Sequence, residues 1–242
     1  MAERTAKRQL VTCIIPAYNE APRISGVLEA VKGHPLIGEV IVVNDGSTDE
    51  TAAVARRHKH VTLLDLHPNG GKSHAVMKGL EAAKHSYIMM LDADLVGLTH
   101  ADLDALIKPV LESEADITLS LRANSLLIYR VIGLDFVSGE RVFAKAVIGD
   151  PARLGQLKGY GLEVIFNHEI IRRKLRLRVV KWHNVISVRK GDKVGFWTGL
   201  KLETAMIGQI LKTVGLFEVL RQLWCMNRLK RRGAHGLSSS SS

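Results

Sequence analysis

Asp92 and Asp94 carry the plainest chemistry in this chain: a D-x-D pair that closes the run Ser86-Tyr87-Ile88-Met89-Met90-Leu91. A short, bulky run of this kind reads as a strand buried on both faces, and the acids fall where that strand ends. In open α/β sheets, ligands collect outside the carboxyl ends of the strands. Two hard carboxylates there suit Mg²⁺ or Mn²⁺, which is commonly shared with substrate phosphates. A lone D-x-D is more often a solvated turn, so the other strand ends decide its meaning.

Those ends are also polar. Tyr18, Asn19 and Glu20 follow the first strand-like run, which stops at Pro16-Ala17. Asp45 follows the second, and Lys72 opens a helix after Asn69-Gly70-Gly71. In a parallel sheet all strand C-termini share one edge, so these groups converge. An acid after the second strand can accept from a ribose hydroxyl or a base N–H. A lysine at a glycine-rich helix start can meet a phosphate, helped by free backbone N–H groups. Together they describe a nucleotide-diphosphate site. Gly71-Lys72-Ser73 is not a P-loop, because Leu66 stands where that motif needs glycine. The first strand also lacks a following G-x-G-x-x-G. The histidines are dispersed among polar residues and read as surface groups.

The elements that must position these residues alternate. Strands are expected at 10–15, 40–43, 61–64, 86–91 and 116–121. Helices are expected at 21–31, 47–58 (opened by a Ser47/Glu50 capping box), 72–84 and 99–113 (opened by Thr99 and Asp102). This rhythm means an α/β fold with a mostly parallel twisted sheet and helices on both faces. After Arg122 it is lost. Residues 138–147 and 162–174 read as helices, and 175–188 as one or two short strands. Residues 200–213 and 216–229 read as C-terminal amphipathic helices. The expected division is one domain over 1–195, amphipathic helices over 196–232 and a disordered tail over 233–242.

A formal net charge of +10 calls for an anionic partner. Aromatics at 5% argue against stacking on single strands, so no nucleic-acid partner is expected. Cys13 and Cys225 make neither a disulfide framework nor a zinc site, which fits a reducing, cytoplasmic setting. The charged N-terminus reads as neither signal peptide nor anchor. No run reaches the roughly 18 apolar residues of a spanning helix.

The segments Ile15-Pro16-Ala17-Tyr18-Asn19-Glu20, Val42-Val43-Asn44-Asp45-Gly46-Ser47-Thr48-Asp49, Asn69-Gly70-Gly71-Lys72 and Leu91-Asp92-Ala93-Asp94-Leu95 resemble, in order and spacing, the motifs of the family-2 glycosyltransferases. The resemblance implies a GT-A fold, a nucleotide-sugar donor and a divalent metal, Mg²⁺ or Mn²⁺. It places Pro16, Ala17, Tyr18, Glu20, Asp45, Lys72, Asp92 and Ala93 at the donor, and Asp94, with Asp92, at the metal.

The second half is similar to a narrower branch, the polyprenyl-phosphate (dolichol-phosphate) mannosyl- and glucosyltransferases. Arg122 stands where that branch has a phosphate-binding arginine. Asp135-Phe136-Val137-Ser138-Gly139 resembles its acceptor-site motif, and Gly159-Tyr160-Gly161-Leu162-Glu163 its helix-opening segment. Arg189 to Lys193 resembles a basic loop, one residue short and lacking a serine. Asp135, Ser138, Arg189 and Lys193 are then acceptor residues, and Asp92, Asp94, Arg122 and Glu163 the catalytic set. The expected reaction is inverting transfer of a hexose to a polyprenyl phosphate at the cytoplasmic face of a membrane. The amphipathic tail either packs on the sheet or lies in the bilayer interface, giving peripheral membrane association. Two alternatives stand beside this: a hydroxyl acceptor with Glu163 as base, and a non-catalytic membrane-associated scaffold.

Overall fold

A computed structural model describes residues 9–154, 161–188 and 215–235. Arg189, Lys193 and the expected helix at 200–213 lie outside these residues.

The first half follows the expected rhythm. Strands β1 (Val11–Ala17), β2 (Ile37–Asp45), β3 (Val61–Leu66) and β4 (Tyr87–Met90) alternate with helices α1 (Ile24–Val31), α2 (Thr51–Arg56) and α3 (Lys72–Ala82). A two-residue strand, β5 (Leu95–Val96), precedes α4 (His100–Leu111) and β6 (Ile117–Leu121). There follow α5 (Leu127–Ile132), β7 (Arg141–Ala144), α6 (Gly161–Arg172), β8 (Leu177–Lys181), β9 (Ile186–Ser187) and α7 (Leu216–His235). The α4 capping box forms as expected: the Thr99 side chain accepts from Asp102 N, and Asp102 caps back.

Two expectations are corrected. The Ser47/Glu50 box does not form, and α2 begins at Thr51 without a side-chain cap. Ser47 Oγ instead accepts from Asn19 N at 3.0 Å, tying the loop after β2 to the loop after β1. Residues 138–147 were expected to be helical, yet Arg141–Ala144 is a strand. The apolar residues there suit either period. The decision is tertiary: β4 and β6 both run beside this segment and offer it hydrogen bonds on both sides.

The main sheet has seven strands in the order β3-β2-β1-β4-β7-β6-β8. Every strand runs the same way except β7, which is antiparallel to both its neighbours. So β6 is not the neighbour of β4, and the ends of these two strands stand about 10 Å apart, two strand spacings. Because β7 is reversed, its start meets the carboxyl edge of the others, with Arg141 in register with Met90.

Alternate side chains of the sheet feed two cores. Ile14, Ile41 and Val43 join α3, α6 and α7 on one face. Cys13, Ile15 and Val42 join α1, α2 and α4 on the other. Helix α7 packs on α6 and β8 and buries Met226 and Leu229 in the first core, yet Phe217, Leu220 and Trp224 remain exposed. Among the described residues no helix is long and apolar enough to cross a membrane.

Candidate active site

The loops after β1, β2 and β4 and the start of α3 enclose a cleft of about 270 Å³. Pro16, Ala17, Tyr18 and Glu20 form one wall, and Asp45, Lys72, Asp92, Ala93 and Asp94 the rest. The structure thus brings together each residue assigned to the donor. A larger cavity of about 550 Å³ lies between α4 and β8, lined by Asp104, Lys108, Glu112, Glu114, Arg178 and Lys181. Four of these six charged residues pair with one another, Lys108 with Asp104 and Arg178 with Glu114.

The cleft's loops are held by side chains. Asn19 takes the left-handed conformation (φ 55°), and its Oδ1 accepts from Thr48 N at 2.9 Å. Asp45 is 3% exposed, and its two oxygens accept from Gly70 N (2.9 Å) and Gly71 N (2.7 Å). It fixes the glycine turn that launches α3, and its carboxylate still lines the cleft. Gly71 has φ 87°, where a side chain would be strained.

At the centre, Lys72 Nζ donates to Asp92 Oδ1 at 2.8 Å and stands 3.4 Å from Glu163 Oε1, in the first turn of α6. Arg122 Nη1 lies 3.6 Å from the other Asp92 oxygen. Burial opposes the Asp92 charge, but Lys72 and Arg122 outweigh it and hold the carboxyl below the usual carboxylate range. Lys72 is likewise kept protonated: burial disfavours its charge, and Asp92 and Glu163 more than compensate.

Asp94 is different. Burial, then the charges of Asp92 and Glu20, push its pKa up to about 6, although Ser187 Oγ on β9 donates to it at 2.6 Å. It has no cationic partner within ion-pair distance among the described residues. A divalent cation fits this donor set: Asp94 has a carboxylate oxygen that Ser187 does not occupy, beside an acid already neutralised. Among the described residues no group of three or more His, Cys, Asp or Glu could hold a metal ion.

Asp135 and Ser138 do not face the cleft. They are 2% and 0% exposed and lie beneath it. Asp135 accepts from Ser125 Oγ at 2.8 Å. Ser138 Oγ donates to Glu140 Oε2 at 2.7 Å, and Ser120 Oγ donates to the same atom at 2.6 Å. Glu140 Oε1 accepts from Arg122 Nη1 at 2.9 Å. Glu140, fully buried, thus anchors the arginine that faces Asp92. Arg141, also buried, donates to the Ser138 carbonyl and lies over the Phe166 ring at 4.6 Å, so it braces α6 near Glu163. Sequence reading passed over Glu140, Arg141 and Ser187. Two consecutive charged residues inside an apolar segment were the available signal for the first two.

Residues 12–126 match the family model described as "Glycosyl transferase family 2". A 4,4'-diaponeurosporenoate glycosyltransferase of Staphylococcus aureus (strain MRSA252) is 41% identical over 102 residues, which is 40% of this chain and 27% of that relative. The chain therefore spans little more than a quarter of that relative's length. Among solved structures, glucosyl-3-phosphoglycerate synthase from Mycobacterium tuberculosis superposes with a TM-score of 0.66 at 18% identity in its phosphoglyceric acid complex, covering 86% of this chain and 80% of that one. Its complex with Mn²⁺, uridine-diphosphate-glucose and phosphoglyceric acid gives a TM-score of 0.68 at 19% identity, over 89% and 80%. The fold is the α/β GT-A fold, and the stretch similar to glycosyl transferase family 2, residues 12–126, carries every residue that lines the cleft.

Proposed function

We propose that this protein is a metal-dependent inverting glycosyltransferase that moves a hexose from a nucleotide-sugar donor to an anionic, polyprenyl-phosphate-type lipid acceptor. The observation that carries the donor half is the converging cleft, with a neutralised Asp92 and an Asp94 that lacks a cation. Pro16, Tyr18 and Asp45 suit the nucleoside, and Lys72 with the free N–H groups at the start of α3 suits the diphosphate. Asp94, with Asp92 beside it, would hold Mg²⁺ or Mn²⁺, which when bound would neutralise charge on the departing diphosphate. Lys72 and Arg122 add fixed positive charge where that charge develops.

For the acceptor, the M. tuberculosis neighbour was solved in complex with phosphoglyceric acid and the S. aureus relative is named for 4,4'-diaponeurosporenoate, and both are anions. Arg122 is the corresponding group on this chain. A phosphate monoester is largely anionic at neutral pH, its second pKa being about 6, and needs positioning more than a base. Peripheral membrane association is part of this reading. Phe217, Leu220 and Trp224 project from α7, with Arg221 and Arg228 beside them. A second reading, a hydroxyl acceptor with Glu163 as base, is favoured by the position of Glu163 against Lys72.

Thermal-shift screening of nucleotide sugars with Mn²⁺, on the native chain and on Asp94→Ala, tests the donor half. The expected result is metal-dependent stabilisation by one donor and its loss in the variant. Equal stabilisation of both proteins, with EDTA present, would sink it.

A further inference from the structure

Helix α5 turns Leu127, Ile128 and Val131 outward. Leu127 is 73% exposed and Val131 75%, and Tyr129 is the residue it buries. Leu127 and Val131 are four residues apart, so they share one face, and Arg130 is adjacent on that face. Together with Arg122, Lys181 and His183, they line a groove of about 400 Å³, within the roughly 300–1,000 Å³ of ordinary ligand pockets. Neither Arg130 nor Lys181 makes an ion pair with a described residue.

The sheet explains where this groove lies. Arg122 follows β6, and Lys181 ends β8, in register with Leu121. Both strands run parallel to β4, so the groove opens on the same edge as the donor cleft. Arg122 belongs to both: it lines the groove and stands 3.6 Å from Asp92. A ligand whose anionic head reaches Arg122 has its remainder laid along Leu127 and Val131. An apolar wall with cations at its inner end and flank fits one class of molecule, a single-chain amphiphile with an anionic head.

We propose that the groove between α5 and the end of β8 is the acceptor subsite, taking the anionic head on Arg122, Arg130 and Lys181 and the apolar chain on Leu127 and Val131. This rests on the glycosyltransferase reading above and adds where the acceptor binds and what recognises its chain. A phosphate and a carboxylate head share the required chemistry, so both are tested.

The test is calorimetric titration of the full chain with inorganic phosphate and with dodecyl phosphate and dodecanoate, the two amphiphiles kept below their critical micelle concentrations. The amphiphiles should bind at least about tenfold more tightly than inorganic phosphate, since even two buried methylenes are worth that much. The tighter of the two identifies the natural head group. A Leu127→Asp/Val131→Asp variant, changed only at exposed positions, should lose the advantage of the chain, and Arg130→Glu should weaken all three ligands. Binding unchanged in both variants, amphiphiles no better than inorganic phosphate, or binding to anionic vesicles alone would overturn the subsite. A parallel titration with the nucleotide sugar and Mn²⁺ separates the two readings. Donor binding lost in the native chain defeats the transferase reading, whereas donor binding kept with amphiphile binding absent defeats only the groove.

Discussion

Lys72 donates to Asp92 across 2.8 Å, joining the start of α3 to the end of β4. The same ammonium stands 3.4 Å from Glu163 of α6, so one cation faces two carboxylates. Lys72→Met should cost about 1–3 kcal/mol of stability, the range for leaving charged hydrogen-bond partners unmatched. It should also reduce nucleotide-sugar affinity at least about tenfold, the effect of losing one charged contact of that size. Urea denaturation and donor calorimetry measure the two effects, and unchanged donor affinity would remove Lys72 from the site.

Gly139 faces this pair so closely that a Cβ there would lie 2.6 Å and 2.8 Å from the Asp92 oxygens and 2.8 Å from Lys72 Nζ. Gly139→Ala must displace one of the two charged groups. The expected result is a folded protein, by circular dichroism, with transfer reduced at least about a hundredfold, as for other angstrom-scale misplacements at a reacting centre. Transfer within a factor of about two of the native rate would show that the pair tolerates movement.

Glu140 accepts from Arg122, Ser120 and Ser138 while fully buried. Glu140→Gln keeps the shape but removes the charge opposite Arg122, and should destabilise by about 1–3 kcal/mol. Among the described residues, Arg122 would then keep only Asp92 and Asp135 as charged partners. Donor affinity should survive, and the KM for the acceptor should rise. Steady-state kinetics in each substrate check this; an effect on donor KM alone would contradict the assignment.

Asp94 supplies the pH dependence. Its folded pKa, about 6, lies above its ordinary value of 3.8, so the fold favours the protonated acid. That stabilisation is fully present below pH 3.8 and is lost as pH rises through about 6. Asp94→Asn should therefore stabilise the metal-free protein by about 2 kcal/mol near pH 8, and not near pH 3.5. In the native chain, Mn²⁺ should close the difference at the higher pH by pairing with the carboxylate. Melting curves of both proteins with and without Mn²⁺ decide the matter. Identical curves at the higher pH would show that Asp94 carries no strain of charge.

The gathering of the lining residues into one cleft was legible in the sequence because its parts are local. Each of these residues stands at or just past a strand end or at a helix start, the strands centre on apolar runs, and parallel strands put their ends on one edge. Pro16 to Glu20, Asp45, Lys72 and Asp92 to Asp94 needed no knowledge of packing. The second half was not legible in the same way. Residues 141–144 became a strand only because β4 and β6 flank them, a contact between segments that local periodicity does not record. That reversed strand brings Gly139, Glu140 and Arg141 to the edge, so the burial of Asp135 and Ser138 and the anchoring of Arg122 by Glu140 follow from it. The exposure of Leu127 and Val131 is likewise a tertiary fact: the core on that face is filled by α3, α6 and α7, and α5 contributes Tyr129 and part of Ile132 to it and leaves Leu127, Ile128 and Val131 outside.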